Sequence, residues 1–473
     1  MAIIQRYFNA IIISLVAAIL GLKILVAPVI GLANNGDFVR IMEDAELKYL
    51  SKDAEDMYFN YVNRTFSISP QLPITTEKYF SSTNLFVKAS VWINKLFVND
   101  TYDIRILGAI HLILFLLSFY ILLRLLSYTK YKYISAILFF LIYCDIGYFS
   151  YFNSFYSETT SFIFFIFTIL FFLKIINDSK YSYLNFLFFF ISSSLFITAK
   201  SQNSPLGFLI SIYLIRLIWN YRQRLKQFLL LLMSILTLGI SILVYNNTSG
   251  TVMQINKYDS IFSSLIKYSE HPEEDLKKLG MDPKYALLKN TAWFSKNKPM
   301  ELEEEFFKQL EKTSVPQIAF LYANDPSRLF KVVNNNTDQL YGLRPDYLGN
   351  FEKKENMPKG KSHFNDLWSS FKKNVLGKLP WFIYLYFTMY FCVLLFKYYK
   401  SKESSQKIKL EGIAILGIMS IVQIVVSIIG DGTNELEKHL FLFNVIFDST
   451  VFISILWLYQ KLANVFKLNY CKV

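Results

Sequence analysis

The chain is 473 residues long, 53% hydrophobic and 18% aromatic, with a mean hydropathy of +0.32 and a formal charge of +13. Apolar residues gathered in long uninterrupted runs exclude an ordinary soluble globular protein, and the basic excess comes without a basic module or aromatic stacking pattern, which excludes a nucleic-acid partner. Three cysteines (Cys144, Cys392 and Cys471) leave no disulfide framework, and four scattered histidines show no zinc-ligand spacing.

About ten spans of roughly 17–23 residues suit helices crossing a hydrocarbon layer about 30 Å thick. They are expected near 8–30, 104–125, 133–149, 159–176, 183–199, 205–219, 227–245, 379–397, 409–429 and 440–460. Gly31-Leu32-Ala33 resembles a small-residue cleavage site, but the preceding apolar stretch is too long for a signal peptide and Asp37 follows at once, so a retained anchor is expected. Lys and Arg mark every second loop: Arg6 before the first span, then Arg124, Lys130 and Lys132, then Lys174 and Lys180, then Arg216 and Arg222, then Lys397 and Lys407, and finally Lys461, Lys467 and Lys472. Short basic loops face the cytoplasm, so both termini are expected inside. The net charge is then a topology signal and a basic rim toward the lipid.

Two outer segments are long. The first, about 31–103, opens with an amphipathic stretch in which Phe38, Ile41, Met42 and Ala45 share one helical face and Glu43, Asp44 and Glu46 point away. That pattern predicts a helix on the membrane surface, followed by a loop around Ser69-Pro70-Gln71-Leu72-Pro73. The second, about 246–378, carries twenty basic and seventeen acidic residues. Helical pieces are expected at about 256–269, 283–296 and 301–312, with Pro316 and Asp325-Pro326 as breakers, the whole packing over the outer mouth of the membrane part.

Four polar motifs sit at the ends of spans, and the predicted topology places all four outside. They are Asn34-Asn35-Gly36-Asp37-Phe38-Val39-Arg40, Asn153-Ser154-Phe155-Tyr156-Ser157-Glu158, Lys200-Ser201-Gln202-Asn203, and Gly430-Asp431-Gly432 running on to Lys438-His439. Asp37, just beyond the lipid, could deprotonate a sugar hydroxyl or simply cap the surface helix. Arg40, one turn on, suits a phosphate. Asn434 and Glu437 read as a capping box, which leaves Asp431 to position an acceptor or a cation, and Lys438 or His439 to bind phosphate; Glu435 with Lys438 and His439 also fits ordinary helical pairing. Lys200 is equally a snorkelling helix end, and Glu158 a favourable helix start. Asn153 and Gln202 complete the candidate substrate-binding set. His111, Asp145 and Asp448 fall in the outer halves of their spans, where they would face one hydrated cleft.

An acidic residue directly after the first span, a surface helix behind it and chemistry on the outer face resemble the GT-C class of integral-membrane glycosyltransferases. More narrowly, Asn35-Gly36-Asp37-Phe38, Phe152-Asn153-Ser154-Phe155-Tyr156-Ser157-Glu158, Ala199-Lys200-Ser201-Gln202-Asn203 and Lys438-His439-Leu440-Phe441 are similar to bacterial WsfD-type glycan-biosynthesis hexose transferases. The resemblance implies a polyprenyl-phosphate sugar donor, Asp37 as general base, and outer-face cations that hold the lipid phosphate. Some members of the class use a divalent ion such as Mg or Mn and others none, so a metal stays open.

The expectation is an all-α polytopic membrane protein of GT-C type, with 1–245 as the transmembrane catalytic module, 246–378 as an extracytoplasmic loop region, and 379–473 as helices eight to ten plus a cytoplasmic tail. Lodged in a bacterial cytoplasmic membrane, it would transfer a hexose to a cell-surface glycan or glycolipid, inverting the anomeric centre for want of a second nucleophilic carboxylate. A glycan polymerase or ligase is the nearest rival; such enzymes place essential arginines in the outer loop, where Arg328 and Arg344 are the only two. A lipid-glycan transporter would need midplane charges and paired broken helices, and the sequence shows neither.

Overall fold

The computed structural model describes residues 2–69, 79–126, 131–177, 183–248 and 250–465. The loop at Pro70–Pro73, the cations Lys130, Lys180, Lys467 and Lys472, and Cys471 lie outside the described residues. Ten apolar helices follow the expected runs: α1 (Ala2–Ile24), α2 (Arg105–Leu125), α3 (Lys132–Tyr143), α4 (Glu158–Asn177), α5 (Tyr183–Ala199), α6 (Ser204–Ile218), α7 (Arg224–Asn246), α8 (Phe382–Lys400), α9 (Ser404–Asp431) and α10 (Phe441–Val465). A helix satisfies its own backbone, so an apolar run can enter hydrocarbon without exposing unpaired amides.

Seven of these helices are long and apolar enough to cross a membrane. Among the described residues one further apolar stretch passes the same test only as a bent pair of helices. α3 stops at Tyr143, and after a 55° bend the chain resumes helically over Ile146–Asn153. Asp145 makes the break, because its side chain caps the second piece by accepting the Gly147 N–H (2.7 Å). α5 and α6 have only 17 and 15 residues. α1 ends at Ile24, short of the expected residue 30, and Asn153 Nδ2 collects the carbonyls of Ile24 and Ile30 (both 2.8 Å) to hold the departing chain. Gly31 and Ala33 donate their N–H groups to the carbonyls of Asn350 and Gly349, so the resemblance to a cleavage site falls on chain built into the fold.

The bundle pairs α4 with α5, α6 with α7, α1 with α2, and α9 with α10. Aromatic rings fill its centre, with Phe119 stacked on Phe139 (centroids 4.2 Å) and Tyr148 on Phe162 (4.7 Å). Lipid tails are as apolar as leucine, so interlocking shape holds such helices together more than water exclusion does.

Two features of the segment 31–103, expected outside, depart from the all-α expectation. The stretch expected as one surface helix is a single turn, Val39–Met42, tightened to a 3-10 turn at Glu43–Ala45. Its faces are as expected, with Phe38, Ile41, Met42 and Ala45 buried, but the chain then enters a sheet. Strands β1 (Leu47–Tyr49), β2 (Thr65–Ile68) and β3 (Thr101–Asp103) pair antiparallel in that order, and Leu47, Phe66 and Tyr102 bury one face. Strands this short carry too few alternations to show in the sequence. The longer helix here is Thr83–Lys95, where Leu85, Trp92 and Leu96 form an exposed apolar stripe.

The segment 246–378 is mainly helical, over Gly250–Asp259, Pro272–Lys278, Glu304–Lys312, Val315–Asn324, Ser327–Asn335 and Leu367–Asn374, but the helix expected at 283–296 is only a 3-10 turn at Pro283–Leu288. A π-helical turn, Ser260–Leu265, follows the first of these. Pro316 begins a helix instead of breaking one: Ser314 and Gln317 form a capping box around it, and the first turn needs no proline N–H. The segment shares its core with the bundle, since Phe262, Leu265 and Phe306 cluster with Phe387 of α8, Ile428 of α9 and Phe447 of α10.

Candidate functional site

Four of the chain's turns meet at one end of the bundle. After α1, Asn34 organises the first: its Oδ1 accepts the N–H groups of Gly36 (2.8 Å) and Phe38 (3.1 Å). The short helix Val39–Met42 starts at Phe38 with no side-chain cap, so Asp37 does not cap it, and Asn34 instead shapes the turn that leads into it. Gly36 has φ +116°, a conformation that side chains resist. Tyr156, from the motif before α4, donates to the Ala33 carbonyl and accepts the Asn35 N–H (both 2.9 Å), while its ring packs edge-on against Phe38.

The second turn follows α9. Gly432 has φ +69°, and a Cβ there would strike the Asp259 backbone, so only glycine allows Asp431 to end the helix at this spot. The expected capping box does not form. Glu435, at φ +48°, precedes the short helix Leu436–His439, Asn434 instead donates to Asp259 Oδ2 (3.0 Å), and Glu437 pairs with Lys373 (3.2 Å). The i,i+3 pair of Glu435 with Lys438 does form, at 4.0 Å.

These turns and the Lys200–Asn203 turn enclose a cavity of about 480 Å³, lined by Asp37, Arg40, Lys200, Gln202, Asp431 and His439 among others. Six of the nine expected site residues thus share one space. Lys438 lies directly behind, 3% exposed and ion-paired with Asp37. Arg40 Nη1 approaches the same carboxylate at 3.4 Å, and Lys438 Nζ stands 4.8 Å over the Tyr156 ring. Glu158 sits behind Lys200, whose Nζ donates to its Oε1 (2.9 Å). Gln202 ties the turns together by donating to Ser427 Oγ (2.6 Å) and to the His439 carbonyl (3.1 Å). Asn153 alone is elsewhere, holding the end of α1.

Electrostatics set the protonation states. Burial opposes ionisation of Asp37, but Lys438 and then Arg40 outweigh it and hold the carboxyl far below the usual carboxylate range. Burial likewise works against the Lys438 charge, yet Asp37 and Glu435 raise its pKa above the ordinary lysine value. Farther along the cavity His439 Nε2 contacts an Asp431 carboxylate oxygen, and Asn256 donates to Asp431 Oδ1 (3.0 Å). Asp259 accepts the Trp293 N–H (2.6 Å); burial, then the neighbouring Asp431, pushes its carboxyl up to about 7. Asp259 and Asn256 escaped the sequence reading because nothing separates one acid from the seventeen in its segment.

Apolar and aromatic side chains share the lining with these polar groups: Tyr245 from α7, Val252, and Val425, Val426 and Ile429 from α9. A cavity that holds both cations and span-end apolar groups suits an amphiphile with an anionic head. A resident divalent cation fits poorly, since each carboxylate is already matched to a cation or amide, and among the described residues no group of three or more His, Cys, Asp or Glu is placed to hold a metal ion.

The buried ionisables expected in a hydrated cleft do not line this cavity. His111 Nδ1 contacts the Phe152 carbonyl (3.0 Å). Asp145 accepts the Ser369 N–H (2.9 Å), and Asp448 takes Lys372 (2.8 Å) and Trp368 (2.8 Å), so both anchor the Leu367–Asn374 helix to the bundle. In a poorly solvated interior an acid is kept by a partner, and the partner here is the segment 246–378.

No solved structure matches the chain. The chain is 24% identical over 408 residues to the uncharacterized protein YfdI of Escherichia coli (strain K12), covering 82% of this chain and 83% of that one. The model of the YfdI N-terminal transmembrane domain matches residues 2–472, and the chain belongs to that family.

Proposed function

We propose that this integral membrane protein is a GT-C-type glycosyltransferase that moves a hexose from a polyprenyl-phosphate donor to a cell-surface glycan or glycolipid. One observation carries the reading: the cavity joins apolar span ends to a cluster of Arg40, Lys200 and Lys438 around the Asp37 carboxylate. A polyprenyl phosphate is an amphiphile of that form, with a tail that stays in lipid and a head that needs cations. The acceptor hydroxyl gives its proton to Asp37 and attacks the anomeric carbon, and the carbon–oxygen bond to phosphate breaks with its electron pair passing to the phosphate. Fixed cations facing the charge that develops on the leaving group are the main electrostatic contribution. A single displacement inverts the anomeric centre.

The reading includes ten crossings, with α5 and α6 among them, both termini in the cytoplasm, and the cavity on the outer face of a bacterial cytoplasmic membrane. The surface helix belongs at Thr83–Lys95, whose exposed Leu85, Trp92 and Leu96 suit a lipid boundary, while Lys88 and Lys95 pair with Asp44 (2.8 Å) and Glu46 (3.6 Å) behind it. The polymerase or ligase reading is weaker, because Arg328 is committed to Asp275 (2.7 Å) and Asp325 (2.9 Å), and Arg344 to Asn350 (2.5 Å) and the Ser362 carbonyl (2.6 Å). Neither arginine lines the cavity.

The test is the surface glycan and the lipid-linked intermediates of a deletion strain, complemented with wild type or Asp37→Asn. Loss of one hexose, restored by wild type alone, is expected. Accumulation of single repeat units on the lipid would instead indicate a polymerase, and full complementation by Asp37→Asn at normal expression would remove Asp37 from the chemistry.

A further inference from the structure

Each cation of the cluster already holds a carboxylate of the chain. Arg40 faces Asp37 at 3.4 Å, Lys200 holds Glu158 at 2.9 Å, and Lys438 pairs with Asp37 and lies 4.0 Å from Glu435. Three cations stand against three carboxylates, so the resting cluster is nearly neutral. A neutral cluster attracts an incoming phosphate weakly unless one of its pairs opens.

Asp37 is the member placed to open. Its side chain is 33% exposed, lines the cavity and faces both Lys438 and Arg40, whereas Glu158 is 5% exposed behind Lys200 and Glu435, also in the lining, stands 4.0 Å from Lys438. Lys438 is its opposite. At 3% exposure the ammonium has no solvent to turn to, so a loss of charge on Asp37 leaves it needing another anion.

We propose that Asp37 is an exchangeable counter-ion, occupying at rest the anion position at Lys438 and Arg40 that a phosphate monoester takes once Asp37 is neutral. The inference rests on the glycosyl-transfer reading and deepens it. A polyprenyl-phosphate sugar is a diester with one negative charge, and the polyprenyl phosphate that departs is a monoester able to carry two. As the acceptor's O–H bond breaks, its proton neutralises Asp37 and its oxygen bonds the anomeric carbon. The bond from that carbon to the phosphate oxygen breaks with both electrons staying on the oxygen. Charge leaves Asp37 as it arrives on the phosphate, and Lys438 and Arg40 pass from one to the other. Proton acceptance and leaving-group stabilisation are then one event, timed to the transition state and not to substrate binding.

The experiment is calorimetric titration of the purified full chain in detergent with farnesyl phosphate, a short-chain monoester. Asp37→Asn is expected to bind it about tenfold or more tightly than wild type, the scale of one charge-assisted hydrogen bond. Adding Lys438→Gln to that variant removes the gain. Equal or weaker binding by Asp37→Asn, with an unchanged melting curve, overturns the exchange. Where Asp37→Asn does not fold, Glu435→Gln removes the other carboxylate facing Lys438 and is expected to give a smaller gain of the same sign; no gain there overturns the proposal equally. If wild type binds the probe and Lys200→Gln weakens it while neither carboxylate variant gains, the exchange fails and the lipid-phosphate site stands. If no form of the protein binds the probe, both fall.

Discussion

Asp259 and Asp431 both line the cavity, and burial, then the charge of Asp431, makes Asp259 a titrating group near neutrality. Its pKa is raised on folding from an ordinary 3.8 to about 7, so the folded chain binds a proton more tightly than the unfolded one. The stability that Asp259 contributes is therefore complete below about pH 4 and is lost as pH rises toward 7. Asp259→Asn mimics the protonated form and is expected to raise the melting temperature at pH 8 relative to wild type, with the difference vanishing near pH 4. A difference that is flat across that range would mean that Asp259 does not titrate there. The same residue-scale logic separates Asn34 from Asp37. Both have short polar side chains in one turn, but only Asn34 Oδ1 reaches the turn's N–H groups, while the Asp37 carboxylate faces Lys438 and Arg40.

Among the elements, the Leu367–Asn374 helix shows how the segment 246–378 is fastened to the bundle. Lys372 and Asp448 are both fully buried and bonded at 2.8 Å, and Lys372 also donates to Asn444 Oδ1 (2.8 Å). Removing one member of such a pair strands the other charge and costs about 3–5 kcal/mol, whereas replacing both with apolar groups is often nearly neutral. Lys372→Met is thus expected to destabilise the chain strongly in thermal melts, and Lys372→Met with Asp448→Leu to recover much of the loss. Equal destabilisation by the single and double variants would assign the effect to packing instead. Gly432 is a second element-scale constraint, because α9 ends close against the π-helical turn at Ser260–Leu265, with Thr433 N–H donating to Ser263 Oγ (2.9 Å).

At the scale of the whole molecule, the proposed topology is open to direct measurement. In a background lacking the native cysteines, Lys354→Cys in the second outer segment and Ser404→Cys before α9 are both at exposed positions. A membrane-impermeant maleimide added to intact cells is expected to label the first and spare the second. The reverse pattern would put the cavity in the cytoplasm, away from an outer-face acceptor.

The sequence by itself determined where apolar helices form, because an uninterrupted apolar run has one way to satisfy its backbone in lipid, and span length and loop charge are local properties. It also singled out Asp37, Arg40, Lys200, Gln202, Asp431 and His439, which line one cavity, because each sits at a helix end on the same predicted side. Only the tertiary structure decided the pairings. Lys438 meets Asp37 and Lys200 meets Glu158 across 401 and 42 residues, and no periodicity encodes a contact of that span. The same holds for the small sheet, for Asp259, and for Asp145 and Asp448, whose partners lie in the segment 246–378. A buried charge is legible in a sequence as a cost; which group answers it depends on the packing that brings distant turns together.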